Sequence, residues 1–175
     1  MQLMGDGFVL RPWQTGDEAA LVRHANNRKI WRNLMNRIPY PYTWADAEDW
    51  IHRGSKSQTK GDSLAIVIDG EAVGGIGSEA LTDVHTGTRV AGYWLSELHW
   101  GRGIATAMLR LYLDYLFQDP DLHRVEAHVY AWNPASARVL EKNGFVLEGR
   151  KRQSVFKDSE YVDELIYGLL RQERG

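Results

Sequence analysis

Two glycines in Trp100-Gly101-Arg102-Gly103-Ile104-Ala105-Thr106 constrain this chain most, because they stand where an extended segment turns straight into an amphipathic helix. Ile104, Met108, Leu111, Tyr112, Tyr115 and Leu116 then recur at helical spacing up to a stop at Asp119-Pro120, which predicts a helix over 104–118. Glycine admits backbone conformations that aim successive N–H groups into one concavity, and the first helical turn adds its own N–H groups and a positive dipole end. The junction is therefore a candidate cradle for a phosphate or pyrophosphate, weighed against the plainer reading of a tight turn. A Walker A loop would need Gly-Lys-Ser/Thr, and the dinucleotide fingerprint would need a third glycine where Thr106 stands, so neither applies.

A second block runs from Asn133 to Phe145. Asn133 suits an N-cap, Pro134 the first helical position and Gly144 the left-handed residue after the last turn. That account explains the Asn, the Pro and the Gly but not the small hydroxyl at Ser136. Asn133 and Ser136 lie about one turn apart, a spacing at which both side chains can face one ligand.

Tyr93-Trp94-Leu95, the loop from Trp100 to Thr106 and the Asn133 block together resemble the GNAT superfamily of acyl-CoA-dependent N-acetyltransferases. The family's Arg/Gln-x-x-Gly-x-Gly/Ala loop falls on Trp100, Gly103 and Ala105, with Trp100 in place of the usual polar residue. Trp-Gly-x-Gly, Asn-x-x-Ser, Glu141-Lys142-x-Gly144-Phe145, Leu10-Arg11-Pro12 and Tyr161-x-Asp163 are similar to the RimJ/RimL-type branch, which acetylates the N-termini of ribosomal proteins. The resemblance implies acetyl-CoA as cosubstrate, held by Tyr93, Trp94, Leu95, Trp100, Gly101, Arg102, Gly103, Ile104, Ala105, Thr106, Asn133 and Ser136. The pantetheine arm would pair with the strand ending at Leu95, and a backbone N–H there would serve the oxyanion.

The rest of the chain agrees with an α/β (α+β) fold in a single domain over residues 1–175: a mixed, mostly antiparallel sheet of about seven strands flanked by helices. Strands are expected over 8–11, 63–68, 71–81, 89–95, 123–130, 146–156 and 160–170, with hairpin turns at Asp69-Gly70 and Lys157-Asp158-Ser159. Thr15-Gly16-Asp17-Glu18 offers a capping box for a helix to about Asn26, and further helices are expected over 29–35 and, with Thr43 as cap, over 44–53. A length of 175 residues, with 43% hydrophobic and 25% charged, is ordinary globular chemistry. Zero cysteines exclude disulfides and thiolate nucleophiles, and no long apolar run predicts a membrane span, so a cytoplasmic protein is expected. A net charge of -2 argues against nucleic acid as the main partner, and the basic run Arg150-Lys151-Arg152 reads as a solvated strand end. Six scattered histidines show no ligand spacing, so no metal is expected. The oligomeric state is left open between monomer and homodimer.

Direct attack of an amine on a thioester needs a neutral amine, a donor for the carbonyl oxygen and help for the leaving thiolate. Many relatives supply that help from a Tyr seven residues after the Asn, but Leu140 stands there, so Ser136 is the substitute. For the base, Glu79 and His128 are the candidates, with Glu97, His99, Asp163 and Glu164 behind them. Glu79 reads equally as a rim carboxylate that attracts the acceptor, and His128 as a hydrogen-bonded structural residue. Acceptor choice is expected to lie with the aromatic stretch of Trp31, Tyr40, Tyr42, Trp44 and Trp50, half of it core and the remainder groove. That stretch would suit the first residues of a peptide or a small amine such as a polyamine or aminoglycoside. A catalytically silent acyl-CoA-binding module is the alternative of another class.

Overall fold

The computed structural model describes residues 1–54 and 63–174. Eight strands form one sheet in the order β1-β2-β3-β4-β5-β6-β8-β7. In chain order these are β1 (Leu3–Met4), β2 (Val9–Arg11), β3 (Ser63–Ile68), β4 (Glu71–Ala80), β5 (Thr88–Leu95), β6 (Arg124–Tyr130), β7 (Val146–Lys157) and β8 (Glu160–Leu170). The helices are α1 (Glu18–Ala25), α2 (Arg28–Trp31), α3 (Trp44–Asp49), α4 (Ile104–Leu116) and α5 (Pro134–Lys142). The pairs β1–β2, β2–β3, β3–β4, β6–β8 and β7–β8 are antiparallel, whereas β5 and β6 run parallel over Thr88–Val90 against Arg124–Glu126. The strand that sequence reading missed is β1: two residues are too few to show an alternating pattern, and it is defined only by its pairing with Val9 and Leu10.

The residues divide into two compact units, one holding the chain up to Gly77 with Tyr93–Met108, the other Ser78–Gly92 with everything from Leu109. In the first unit, Leu21, Ala25, Tyr42, Ala47 and Ile51 form a core cluster on which Trp13, Val22, Ile38, Trp50 and Trp94 pack. The capping box expected at Thr15 does not form. Asp17 is the N-cap without a side-chain cap bond, because its carboxylate instead takes both guanidinium nitrogens of Arg11 at 2.8 Å and the Gln14 N–H at 3.0 Å. A buried, bidentate ion pair outcompetes a local hydroxyl cap, and it joins β2 to the start of α1. Thr43 does cap α3, in a full capping box with Asp46, but the helix ends at Asp49 and one wider turn follows over Trp50–Gly54. The helix expected over 29–35 shrinks to the single turn of α2.

In the second unit, β6 alternates as expected, with Val125, Ala127 and Val129 buried. The apolar face of α4 is centred on Met108, Leu109, Tyr112, Leu113 and Leu116, so Leu109 and Leu113 displace the expected Leu111 and Tyr115 from its middle. Tyr112 is fully buried, its hydroxyl 2.9 Å from Ser78 Oγ, which also accepts from Arg89 Nε at 2.8 Å. The β7–β8 hairpin closes through Asp158 and Ser159 at φ 53° and 64°, and the Asp69-Gly70 hairpin in the first unit uses φ 50° and 83°. The basic run lies on exposed β7, where Arg150 and Lys151 pair with Asp163 and Glu164 of β8.

Candidate active site

The junction singled out in the sequence belongs to the first unit. After Leu95, Ser96 turns back: its N–H donates to the Val73 carbonyl at 2.8 Å, and its hydroxyl lies 2.9 Å from Nδ1 of buried His24. A short turn over Glu97–His99 follows, and the indole N–H of Trp100 donates to the Leu95 carbonyl at 2.8 Å. Trp100 thus acts as a local staple on the end of β5. Gly101 and Gly103 take φ 72° and 77°, the left-handed region that the cradle requires. Gly103 O accepts the Ala107 N–H at 3.1 Å, the opening bond of α4. The amides of the first turn of α4 point out of the helix end, as they do at the start of any α-helix.

This arrangement fits an anion. Gly101, Arg102 and Gly103 are exposed, and a Cβ on either glycine would meet nothing within 4 Å, so a ligand can approach the backbone there. Arg102 places its guanidinium 3.0 Å from Nδ1 of His99. Burial first, and then the Arg102 charge, hold the His99 pKa below its ordinary value, so the ring accepts from Arg102 rather than repelling it.

Tyr93 and Trp94, on the last residues of β5, are half-buried, and Leu95 is buried. Trp94 owes its seat to a glycine pair that sequence reading passed over. A Cβ on Gly74 would stand 2.5 Å from the Trp94 carbonyl oxygen, and one on Gly75 would stand 2.9 Å from Trp94 Nε1 and 3.1 Å from Trp13 Cζ2. Opposite this pair the β3–β4 register shifts between Ile66 and Val67.

The acceptor-side aromatics, also in the first unit, separate into core and surface. Tyr42 is 7% exposed and sits in the core cluster, where burial, reinforced by Asp46 and Asp49, pushes its pKa up to about 12. Its ring therefore fills the core rather than lining a groove. Trp50 packs on the same cluster and meets Trp13 edge to face. Trp31 and Tyr40 lie against each other with ring centroids 5.7 Å apart, and Tyr40 and Trp44 are exposed. Two residues that sequence reading left unassigned position this region. Asn26 Oδ1 accepts the Tyr42 N–H at 3.0 Å, while Asn27 caps α2 through Lys29 N and donates from Nδ2 to Glu97 Oε2 at 2.8 Å. The bond from Asn27 spans the sequence from residue 27 to residue 97 and leaves no local signal.

The second unit carries the other candidates. Asn133 Oδ1 accepts the Ser136 N–H at 3.3 Å, so the Asn and the Ser come together at the start of α5, with Pro134 at its first turn and Gly144 at φ 86° past its end. Ser136 is half-buried, whereas Leu140 is 1% exposed and belongs to the core. His128 is flanked on both ring nitrogens, by Glu126 at 2.6 Å and Glu164 at 3.3 Å. Burial alone would raise the Glu126 pKa, but bonds from His128 and Arg124 outweigh it and hold the carboxyl below its ordinary range. Asp163 is likewise held low, by the Gln153 N–H and then Arg150. Glu97 in the first unit is held low by Lys29 and Asn27. Glu79 is exposed near the end of β4.

Residues 8–146 match the family model of the acetyltransferase (GNAT) domain. A probable N-acetyltransferase of Bacillus subtilis is 39% identical over 101 residues, an alignment that covers 56% of each chain. A putative ribosomal N-acetyltransferase of the same organism is 30% identical over 71% of this chain and 67% of its own. The spermidine N(1)-acetyltransferase of Vibrio cholerae is 26% identical over 91% of both. Among solved structures, Mycobacterium smegmatis RimJ in complex with CoA-disulfide superposes with a TM-score of 0.84 at 27% identity, covering 99% of this chain and 87% of that one. The chain belongs to the GNAT acetyltransferase family. It is an acetyl-CoA-dependent N-acetyltransferase with that family's mixed sheet. No described helix is long and apolar enough to cross a membrane.

Proposed function

We propose that the chain acts as one cytoplasmic domain that transfers acetyl from acetyl-CoA to the α-amine of a protein N-terminus. The observation that carries the choice of amine is the state of the candidate bases. His128 has a carboxylate on each ring nitrogen, Glu97 is taken up by Asn27 and Lys29, and Asp163 by Gln153 and Arg150. None of these is poised to strip a proton from a strongly basic amine. An α-amine has a pKa of about 7.7 to 8.0, against about 10.4 for a lysine, so near pH 7.5 roughly a quarter to two fifths of α-amines are already neutral and roughly one lysine in a thousand. With His128, Glu97 and Asp163 so engaged, the amine that needs less help to lose its proton is the better match. The ribosomal relative from Bacillus subtilis supports the same reading, and the spermidine enzyme marks the small-amine alternative.

In this reading the first-turn amides of α4 and the Gly101–Gly103 backbone bind the donor pyrophosphate, and Arg102 adds charge. Ser136 donates a hydrogen bond to the departing thiolate, Glu79 attracts the positively charged acceptor, and Trp31 with Tyr40 gives it an aromatic surface. The test is a pair of otherwise identical peptides, one with a free N-terminus and a blocked lysine, the other reversed, compared by kcat/KM. The free N-terminus should win by at least about tenfold. If the lysine peptide wins, or only a polyamine reacts, the N-terminal assignment is wrong. With the reacting peptide, Ser136→Ala should lower kcat far more than it raises the KM for acetyl-CoA, because its bond strengthens as charge develops on sulfur. Unchanged turnover would remove Ser136 from the chemistry.

A further inference from the structure

Between the end of β5 and the two glycines, the chain is held by β4, through the Ser96 N–H on the Val73 carbonyl, and by the side chains of a short segment at the exit of α1. His24 reaches Ser96, and Asn27 and Lys29 reach the two oxygens of Glu97, at 2.8 Å and 2.5 Å. The same segment continues into Trp31 and is tied at its other end by Asn26, which accepts the backbone N–H of Tyr42. Asn27 does two separable things with one amide group. Its oxygen caps α2, which any Asx side chain can do, while its nitrogen donates to Glu97, which only an amide can do.

We infer that Asn27 is a positioning residue for acetyl-CoA: through Glu97 it fixes where the Glu97–His99 turn leaves β5, and so the direction in which the Gly101–Gly103 backbone and the first turn of α4 present their N–H groups. The inference rests on the reading of that loop as the donor site. Asn27 touches no reacting atom in this account, and its bond to Glu97 acts on binding rather than on the chemical step. The acceptor-side segment and the donor loop thereby share one fastening, Asn26 serving the first and Asn27 the second.

Asn27→Asp separates the two tasks, because the carboxylate keeps an oxygen to cap α2 but loses the N–H and faces the Glu97 charge. Coenzyme A binding, measured by calorimetry on the full chain, should weaken by about tenfold, the effect of losing a charged hydrogen bond and adding a repulsion. Turnover at saturating acetyl-CoA should stay within about twofold, since no group that acts in the transition state is altered. The pair Asn27→Asp with Glu97→Gln reverses donor and acceptor, and it should bring binding back to within about threefold of the parent as the hydrogen bond reforms. Glu97→Ala, at an exposed turn, removes the acceptor without disturbing the α2 cap and should weaken binding as Asn27→Asp does. Parent-like coenzyme A binding in Asn27→Asp or Glu97→Ala overturns the inference, as does a folded double variant with no recovery. Gly103→Val, measured alongside, separates the two readings. If it abolishes binding while Asn27→Asp does nothing, only the positioning role falls, and if it too binds normally, the donor-site reading falls and takes this inference with it.

Discussion

Two glycine pairs in the first unit are glycine for opposite reasons. Gly101 and Gly103 have left-handed φ values and open space where a side chain would project, so they are needed for the backbone path. Gly74 and Gly75 have no positive φ but no room, since Trp94 and Trp13 occupy the place of a Cβ. The first pair sets the backbone path into α4, whereas the second leaves room for two tryptophans beside β4. Gly74 and Gly75 are thus glycine for want of space, and Gly101 and Gly103 for the sake of the backbone path.

Substitution should tell the pairs apart. The largest loss of stability is expected from Gly74→Ala, whose methyl would meet a backbone oxygen that cannot swing away: about 3 kcal/mol, at the upper end for overpacking, or roughly a 10 °C fall in Tm. Folded Gly74→Ala protein should still gain stability from coenzyme A. The reverse pattern is expected of Gly103→Val. Its left-handed φ costs about 1 to 2 kcal/mol, yet the thermal stabilisation by coenzyme A, about 2.7 kcal/mol at a hundredfold excess over Kd in the parent, should vanish. Thermal melts with and without ligand check both, and the comparison breaks if the two variants respond alike. The smallest effect concerns pH. Trp94 packs on the cluster that holds Tyr42, whose folded pKa of about 12 exceeds the unfolded value of about 10. The stabilising contribution is whole below pH 10 and is lost as pH rises towards 12, by on the order of 1 kcal/mol. Tyr42→Phe should flatten that alkaline limb in chemical denaturation, leaving the shares of Tyr130 and Tyr167, which burial also raises. An unchanged limb would mean that the core against Trp94 is wet.

What was legible in the sequence was local. The Gly101–Gly103 turn, the Thr43 and Asn133 caps, the Asp69-Gly70 turn and the alternation of β6 are all written within a few residues of where they act. What was not legible depends on distant partners. Arg11 binds Asp17 at the start of α1, where a Thr15 capping box was expected, Trp94 dictates Gly74, and Glu97 recruits Asn27. Tyr42 shows the same limit from the other side, because an aromatic beside exposed aromatics looks like a binding surface until a core closes on it. For the candidate site, the sequence marked the glycine turn before α4 and the Asn133 cap of α5. It could not mark the fastenings behind that turn.

The parallel pairing of β5 with β6 carries a further consequence. Parallel strands cannot be joined by a hairpin: the chain must travel back along the sheet, which takes about a dozen residues or more. Here residues 96–123 make that journey, and Gly101 and Gly103 lie at its outset, where β5 gives way to α4. The Gly101–Gly103 turn is thus part of the return path itself, and its length is tied to the crossover from β5 to β6. Homologous chains should vary the loop by substitution and leave its length alone, with insertions collecting instead at hairpin ends such as Asp158-Ser159. The pairing also joins residues distant in sequence, a contact that forms slowly. Donor bound at a loop completed only late in folding should leave the folding rate untouched and act by slowing unfolding.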